Sequence, residues 1–131
     1  MKYRLMDILA CPICKHFPLK LCVFNENKYG YTIDFKDKIL CEEYCALKEN
    51  FIKNLDPSTL DCATCLEREV SEGILVCENC GRWYPIIDEI PHMLPDDLRD
   101  RDEDLKFLKK FEDRIPTTVL NSGLPWNLME K

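Results

Sequence analysis

Cys77-Glu78-Asn79-Cys80-Gly81-Arg82 has the form of a zinc knuckle, and Cys11-Pro12-Ile13-Cys14-Lys15 repeats that form near the start of the chain. In such a knuckle the turn after the first thiolate directs backbone N–H groups at sulfur. Gly81 supplies the freedom for a positive φ that lets the chain pass close to the metal. Two thiolates from each knuckle complete a tetrahedral site with no open position, so the metal is expected to be structural. The predicted zinc ligands are Cys11, Cys14, Cys77 and Cys80.

Residues 15–76 separate the outer two of the three CxxC pairs, whereas the usual spacer between such pairs is about 15 to 20 residues. We therefore predict an α+β protein in which both ends of the motif region form a zinc ribbon of short antiparallel strands. The ribbon comprises 1–24 and 72–95, a mainly helical subdomain is inserted at 25–71, and a C-terminal helix and tail follow at 96–131. A thioredoxin-like redox role is an alternative for the CxxC pairs, but it needs a βαβ context that the sequence does not indicate.

Alternating apolar residues predict a β-hairpin directly after the first knuckle, with strands at 17–23 and 29–35 and a turn at 25–28. Cys22 lies on the opposite face from the leucines of the first strand. We expect this thiol to be a small buried hydrophobic group rather than a metal ligand.

The insertion is predicted to contain two antiparallel helices. Apolar residues over 39–55 step by three or four, which is typical of a helix that faces a core. Asp56-Pro57 has the form of an N-cap and first position of a second helix, which continues to Val70. Each helix carries two cysteines about one turn apart. The four sulfurs either bind a second zinc ion, form two interhelical disulfides or stay as buried free thiols, and spacing alone does not choose among these for Cys41, Cys45, Cys62 and Cys65.

Short strands are predicted on both sides of the second knuckle, at 74–76 and 83–87. Prolines in 85–95 cannot donate ladder hydrogen bonds, so this segment belongs at a sheet edge or in an extended loop. So apolar an edge is rarely left in water in a small protein. It packs against the inserted helices or docks another protein by β-augmentation, and we favour docking. The predicted docking residues are Trp83, Tyr84, Pro85, Ile86, Ile87, Ile90, Pro91, Met93 and Leu94.

The C-terminal part begins with an amphipathic helix. Leu105, Leu108, Phe111 and Ile115 form its apolar stripe, and lysines occupy the solvated face. The tail at 116–131 contains turn residues and two apolar anchors. It is expected either to order on the core or to extend toward a partner.

The composition argues against catalysis and against direct binding of nucleic acid. Eighteen Lys and Arg against 24 Asp and Glu give a net charge of -6, whereas neutralising phosphates requires a basic surface. The sequence contains no Gly-rich phosphate loop, Ser/His/Asp set or HExxH motif. We therefore expect a protein that acts by binding rather than an enzyme.

The first ten residues do not form a signal peptide, because Asp7 interrupts their short apolar stretch. No run approaches the length of about 18 apolar residues that a transmembrane helix needs. Nine cysteines in an unexported chain favour metal ligands over disulfides. These features predict a cytoplasmic protein with no membrane partner.

Three stretches resemble the small zinc-ribbon activator subunits of tRNA, rRNA and release-factor methyltransferases. They are Leu9-Ala10-Cys11-Pro12-Ile13-Cys14, Leu75-Val76-Cys77-Glu78-Asn79-Cys80-Gly81-Arg82-Trp83-Tyr84-Pro85-Ile86 and Ile90-Pro91-His92-Met93-Leu94-Pro95. The chain departs from the family pattern at Glu89, where glycine is usual, and at His92, where asparagine is common.

The resemblance implies a non-catalytic subunit that forms heterodimers with class I, S-adenosylmethionine-dependent methyltransferases. The partner then supplies the cofactor site and the chemistry, and tRNA or rRNA is reached only through that partner. The alternative function is a zinc ribbon that binds nucleic acid or the transcription or translation machinery directly. Zinc is the expected cofactor, with one structural ion in the ribbon and a possible second ion in the insertion.

Overall fold

The computed structural model describes residues 1–30 and 41–129 and is organised around a four-stranded antiparallel sheet with the order β1-β4-β5-β6. The strands are β1 (Lys20–Lys28), β2 (Tyr44–Cys45), β3 (Asn50–Phe51), β4 (Arg68–Val76), β5 (Trp83–Ile87) and β6 (Ile90–Pro91). The α-helices are α1 (Cys62–Glu67), α2 (Arg101–Lys110) and α3 (Thr117–Ser122), with 3-10 helices at Tyr3–Asp7, Ile52–Asn54, Pro57–Thr59 and Asp96–Leu98. The mixed class with antiparallel strands is as predicted, while the division into domains remains a prediction.

The two long strands, β1 and β4, pair along their whole length, from Lys20 opposite Val76 to Lys28 opposite Arg68. Gly73 allows the closest approach between them, since a Cβ at this position would lie 2.6 Å from the carbonyl oxygen of Cys22. The sequence predicted a turn at 25–28, but β1 continues through these residues because its partner is β4. Residues 31–35 of the predicted second strand lie outside the described residues.

The sheet has a hydrophobic core on each face, because successive residues of a strand point to opposite sides. Leu75, Tyr84 and Ile86 are buried on one face, together with the N-terminal segment and the predicted zinc ligands Cys11 and Cys77. Ile74 and Trp83 are buried on the other face against apolar residues of α2 and α3. The predicted C-terminal amphipathic helix is therefore present as α2 and covers one side of the sheet.

The tail orders on the core, which was one of the two predicted alternatives. Leu124 forms a bridge with Arg82, and the Trp83 indole N–H donates to the carbonyl oxygen of Trp126 at 2.9 Å. Val119 is buried on the same face of the sheet. Leu120, Trp126 and Leu128 of the tail thus pack against the hydrophobic core on the α2 side of the sheet.

The helix predicted over 39–55 is wrong for 41–55, the part that the structure describes, which contains β2, β3 and a 3-10 helix. The carboxylate of Asp7 accepts hydrogen bonds at 2.8–2.9 Å from the backbone N–H groups of residues 42–44, which a helix would need for itself. Tyr44 and Phe51 meet edge-to-face across the strand pair, with ring centroids 5.6 Å apart. Tertiary contacts therefore override the helical periodicity.

The second predicted helix is shorter than expected. Asp56 caps only the 3-10 helix Pro57–Thr59, by accepting from the N–H of Ser58. A separate N-cap, Asp61, begins α1, and the chain then enters β4 at Arg68. Residues 68–70 extend because β1 and the N-terminal residues supply their hydrogen-bond partners.

Candidate metal centre

The sulfur atoms of Cys11, Cys14, Cys77 and Cys80 all lie within 4.8 Å of one another. Cys11 and Cys80 are 3.7 Å apart at Sγ, and Cys14 and Cys77 are 3.4 Å apart. A tetrahedral site with Zn–S bonds of about 2.3 Å has edges of about 3.8 Å, so this spacing fits a metal ion. A set of four thiolates suits zinc and leaves no open coordination position.

The two knuckles share one backbone conformation. Lys15 and Gly81, which follow the second cysteine of each pair, have φ of 67° and 82°. The N–H of Lys15 donates to the carbonyl of Cys11 at 2.8 Å, and that of Gly81 donates to Cys77 at 3.0 Å. Lys15 adopts the left-handed conformation despite its Cβ, and its Nζ donates to the carbonyl of Pro12 at 2.9 Å. The positive φ that the sequence predicts for Gly81 therefore occurs at the same position in both knuckles.

Hydrogen bonds and burial act on the thiols in opposite directions. The Asn79 side chain is the main cause that lowers the pKa of Cys14 to about 6. Burial raises the pKa of Cys77 to about 12. Burial also opposes ionisation of Cys11, but hydrogen bonds from the backbone of Cys14 and the hydroxyl of Tyr84 outweigh it and lower the pKa. Because metal binding requires thiolates, we expect it to weaken as the pH falls.

Replacing Asn79 by alanine is expected to weaken zinc binding about tenfold, the lower end of the effect of removing a group that orients a metal ligand. The variant loses the hydrogen bond that favours the Cys14 thiolate, so the loss should be larger on the acidic side of neutral pH. Competition with a chelator of known affinity measures it. Asn121→Ala, on the exposed surface of α3, is the matched control. Equal affinities of the two variants would contradict the assigned role of Asn79.

Arg82 connects the centre to the C-terminal part of the chain. Its guanidinium forms a two-pronged ion pair with Asp96, with Nε–Oδ1 at 2.9 Å and Nη2–Oδ2 at 2.7 Å. Hydrogen bonds to Asp96 and to the sulfur of Cys80 raise the pKa of Arg82. A permanent positive charge beside four thiolates offsets part of their negative charge.

The inner cysteines are placed differently. In the described residues, 1–30 and 41–129, the outer four cysteines are the only group of three or more metal-type ligands with all ligand atoms inside 4.8 Å. None of the nine cysteines forms a disulfide. The inner four, Cys41, Cys45, Cys62 and Cys65, are half-buried.

Four of the nine predicted docking residues are buried in the core, which corrects the sequence prediction for their side chains. They lie on β5, which has β4 on one side, β6 on the other and a core on each face. A buried side chain cannot contact a partner without opening the sheet. The buried residues are Trp83, Tyr84, Pro85 and Ile86; Ile87, Ile90 and Leu94 are exposed, and Pro91 and Met93 are half-buried.

The turn between β5 and β6 explains the unusual residue at position 89. Asp88 and Glu89 have φ of 49° and 68°, as in a two-residue type I′ hairpin turn, where glycine is favoured. Glu89 is held in place because its carboxylate accepts the hydroxyl hydrogen bond of Tyr29 at 2.9 Å and its N–H donates to Ser71. The sequence marked Glu89 as a departure from the family but did not predict this contact.

None of the helices in the described part of the chain is both long and apolar enough to cross a membrane.

The antiparallel strands and the cluster of four cysteines are those of a zinc-ribbon protein. The family model described as Trm112p-like protein matches residues 2–89, and the chain therefore belongs to the Trm112p-like family. A stretch of 29 residues is 59% identical to the multifunctional methyltransferase subunit trm112 of Schizosaccharomyces pombe. That stretch covers 22% of this chain and 23% of the relative. The resemblance inferred from the knuckle motifs is thus confirmed.

Proposed function

We propose that the protein is a non-catalytic, zinc-binding subunit that binds and stabilises S-adenosylmethionine-dependent methyltransferases acting on tRNA, rRNA or a translation release factor. Membership of the Trm112p-like family is the observation that carries this proposal. The name of the fission-yeast relative describes a methyltransferase subunit. The four-cysteine centre would hold one structural zinc ion and leave the chemistry to the partner.

The docking surface is the outer edge of the sheet at β6. This docking edge consists of Ile87, Ile90, Pro91, Met93 and Leu94. Ile90 is 59% exposed and Leu94 is 41% exposed, although both are large apolar side chains. Among the described strands, β6 pairs only with β5, so one side of it is open. An open strand edge with apolar side chains beside it suits β-augmentation by a strand of the partner.

Burying these side chains against a partner would contribute to the driving force for a heterodimer. Each large apolar side chain that moves out of water contributes about 1.5–3 kcal/mol when its burial is complete. The docking edge is also held firmly, because the N–H of His92 donates to the carbonyl of Pro85 at 2.9 Å.

The net charge of -6 supports a role in which RNA contacts belong to the partner. A protein that binds RNA alone needs a basic surface to release counterions from phosphates. In a filter-binding titration, the isolated chain is therefore expected to show no strong, steeply salt-dependent binding to tRNA. The cytoplasmic location also remains a prediction.

Co-expression with candidate methyltransferases tests the docking edge. We expect the double variant Ile90→Asp/Leu94→Asp to lose co-purification of its partner, because two carboxylates would have to be buried without counter-charges. Zinc content and circular dichroism should match those of the wild type, since both side chains are exposed.

Met129→Asp is the control, because Met129 is a large apolar residue that is likewise exposed, at 66%, but it lies in the C-terminal tail and not on the docking edge. It should co-purify like the wild type. Wild-type recovery of the partner with Ile90→Asp/Leu94→Asp would overturn the assignment of this surface.

A further inference from the structure

The four inner cysteines have the spacing of an independent zinc site. Cys41 and Cys45 form one pair and Cys62 and Cys65 the other, and residues 46–61 separate the pairs. This separation falls in the range of about 15 to 20 residues that is usual between two pairs of zinc ligands. The outer pairs do not have this spacing, so the inner set reads as a complete motif within the insertion.

The fold brings the two inner pairs to the same place. Cys45 ends β2, and Cys62 and Cys65 lie one turn apart on α1. Both β2 and α1 pack against the 3-10 helix Tyr3–Asp7. The carboxylate of Asp7 binds the backbone N–H groups of residues 42–44 and so fixes the loop between Cys41 and Cys45 beside that helix.

The segment that carries these cysteines has almost no core of its own. Within 41–65 the only buried residue is Ala46. Its regular structure is limited to two-residue strands, short 3-10 helices and α1. Segments with so little buried apolar surface are usually held together by disulfides or by a metal ion.

We propose that Cys41, Cys45, Cys62 and Cys65 bind a second structural zinc ion that joins β2 and α1 of the insertion to each other beside the 3-10 helix Tyr3–Asp7. In the described residues, only the sulfur atoms of the outer four cysteines form a group within 4.8 Å of one another. Zinc binding must therefore draw the four inner sulfur atoms together, until they are about 3.8 Å apart as in a tetrahedral site. Short strands and turns without a deep core can make this adjustment at small cost. The site goes beyond the proposed methyltransferase-subunit role and does not depend on it.

Zinc analysis of the full chain, purified under reducing conditions, tests the proposal. We expect two zinc ions per wild-type chain and one per Cys62→Ser/Cys65→Ser chain. Cys22→Ser, which removes a thiol from neither set, should keep two. One zinc ion in the wild type, or two in Cys62→Ser/Cys65→Ser, would overturn the second site. Mass spectrometry of the chain purified without reductant would also overturn it, if the mass were lower by the hydrogens lost in forming two disulfides.

Titration of metal-free wild type with Co²⁺ keeps the test independent of the variants, which could misfold. The visible absorption of tetrahedral cobalt thiolate should increase until two equivalents of Co²⁺ per chain have been added. Saturation after one equivalent would overturn the proposal. The docking-edge variant Ile90→Asp/Leu94→Asp should still bind two equivalents. Failure of the second site is therefore distinguishable from failure of the proposed function.

Discussion

A Cys77→Ser chain is expected to lose the zinc of the ribbon and, with it, the cooperative thermal transition of the sheet. Cys77 is fully buried and connects β4 to the knuckle that leads into β5. Structural zinc sites in small domains bind with about 10–16 kcal/mol, whereas whole domains are stable by only about 5–15 kcal/mol. Loss of this ligand therefore removes most of the net stability.

Thermal unfolding followed by circular dichroism, together with zinc analysis, measures this effect. Cys22→Ala is the matched control, because Cys22 is a half-buried thiol that lies outside both knuckles and packs against the core on the α2 side of the sheet. It should keep its zinc and lose no more than about 1 kcal/mol. A Cys77→Ser chain that melts like the wild type would show that the centre does not stabilise the fold.

Replacing Asp104 by alanine is expected to destabilise the chain by about 3–5 kcal/mol, the usual cost of leaving a buried charge without its partner. The Arg99 side chain is only 2% exposed and its Nε donates to Asp104 at 2.8 Å. The same carboxylate oxygen accepts the indole N–H of Trp126 at 2.9 Å. Arg99 also bonds to the carbonyl of Trp83, so it cannot turn to solvent without disturbing β5.

Glu103→Ala is the neighbouring control. Glu103 pairs with Lys106 at 3.6 Å, but both side chains are more than two-thirds exposed, at 71% and 76%. Exposed pairs of this kind contribute at most about 1 kcal/mol. Urea unfolding of the two variants compares them directly. Equal midpoints would mean that the Arg99–Asp104 pair contributes no more than a surface contact.

The metal centre could be predicted from the sequence because its geometry is local. Each knuckle is a local turn with its own CxxC pair, and two such pairs supply the four ligands of a closed zinc site. Strand β5 and the helix α2 were also predicted close to their observed places, since their apolar patterns are short and unambiguous. Strand β4 was predicted only at its end, 74–76, because its first residues, 68–70, were assigned to a helix. The family resemblance rests on the same knuckle residues.

The insertion could not be predicted because distant contacts determine it. The apolar spacing of Tyr44 and Phe51 suits a helix, but the two rings instead meet across a strand pair. Asp7 captures the backbone of residues 42–44 from 35 to 37 positions away, and no periodicity signals such a contact.

The docking residues on β5 were misjudged, and the Arg99–Asp104 pair was not predicted, for a related reason. An apolar strand looks the same whether a partner or its own helix covers it, and α2 covers Trp83. Arg99 and Asp104 lie in an acid-rich run whose usual place is the solvated surface. Only the packing of the tail reveals that this pair is buried.

Trp83 depends on residues that lie beyond the end of the family match. The family match ends at residue 89, yet Trp83, inside it, forms hydrogen bonds with Arg99, Leu124 and Trp126, which lie beyond it. A fragment trimmed to the shared region would open one whole side of its sheet to water. The segment that matches the family, residues 2–89, is therefore shorter than the part of the chain that is needed to fold.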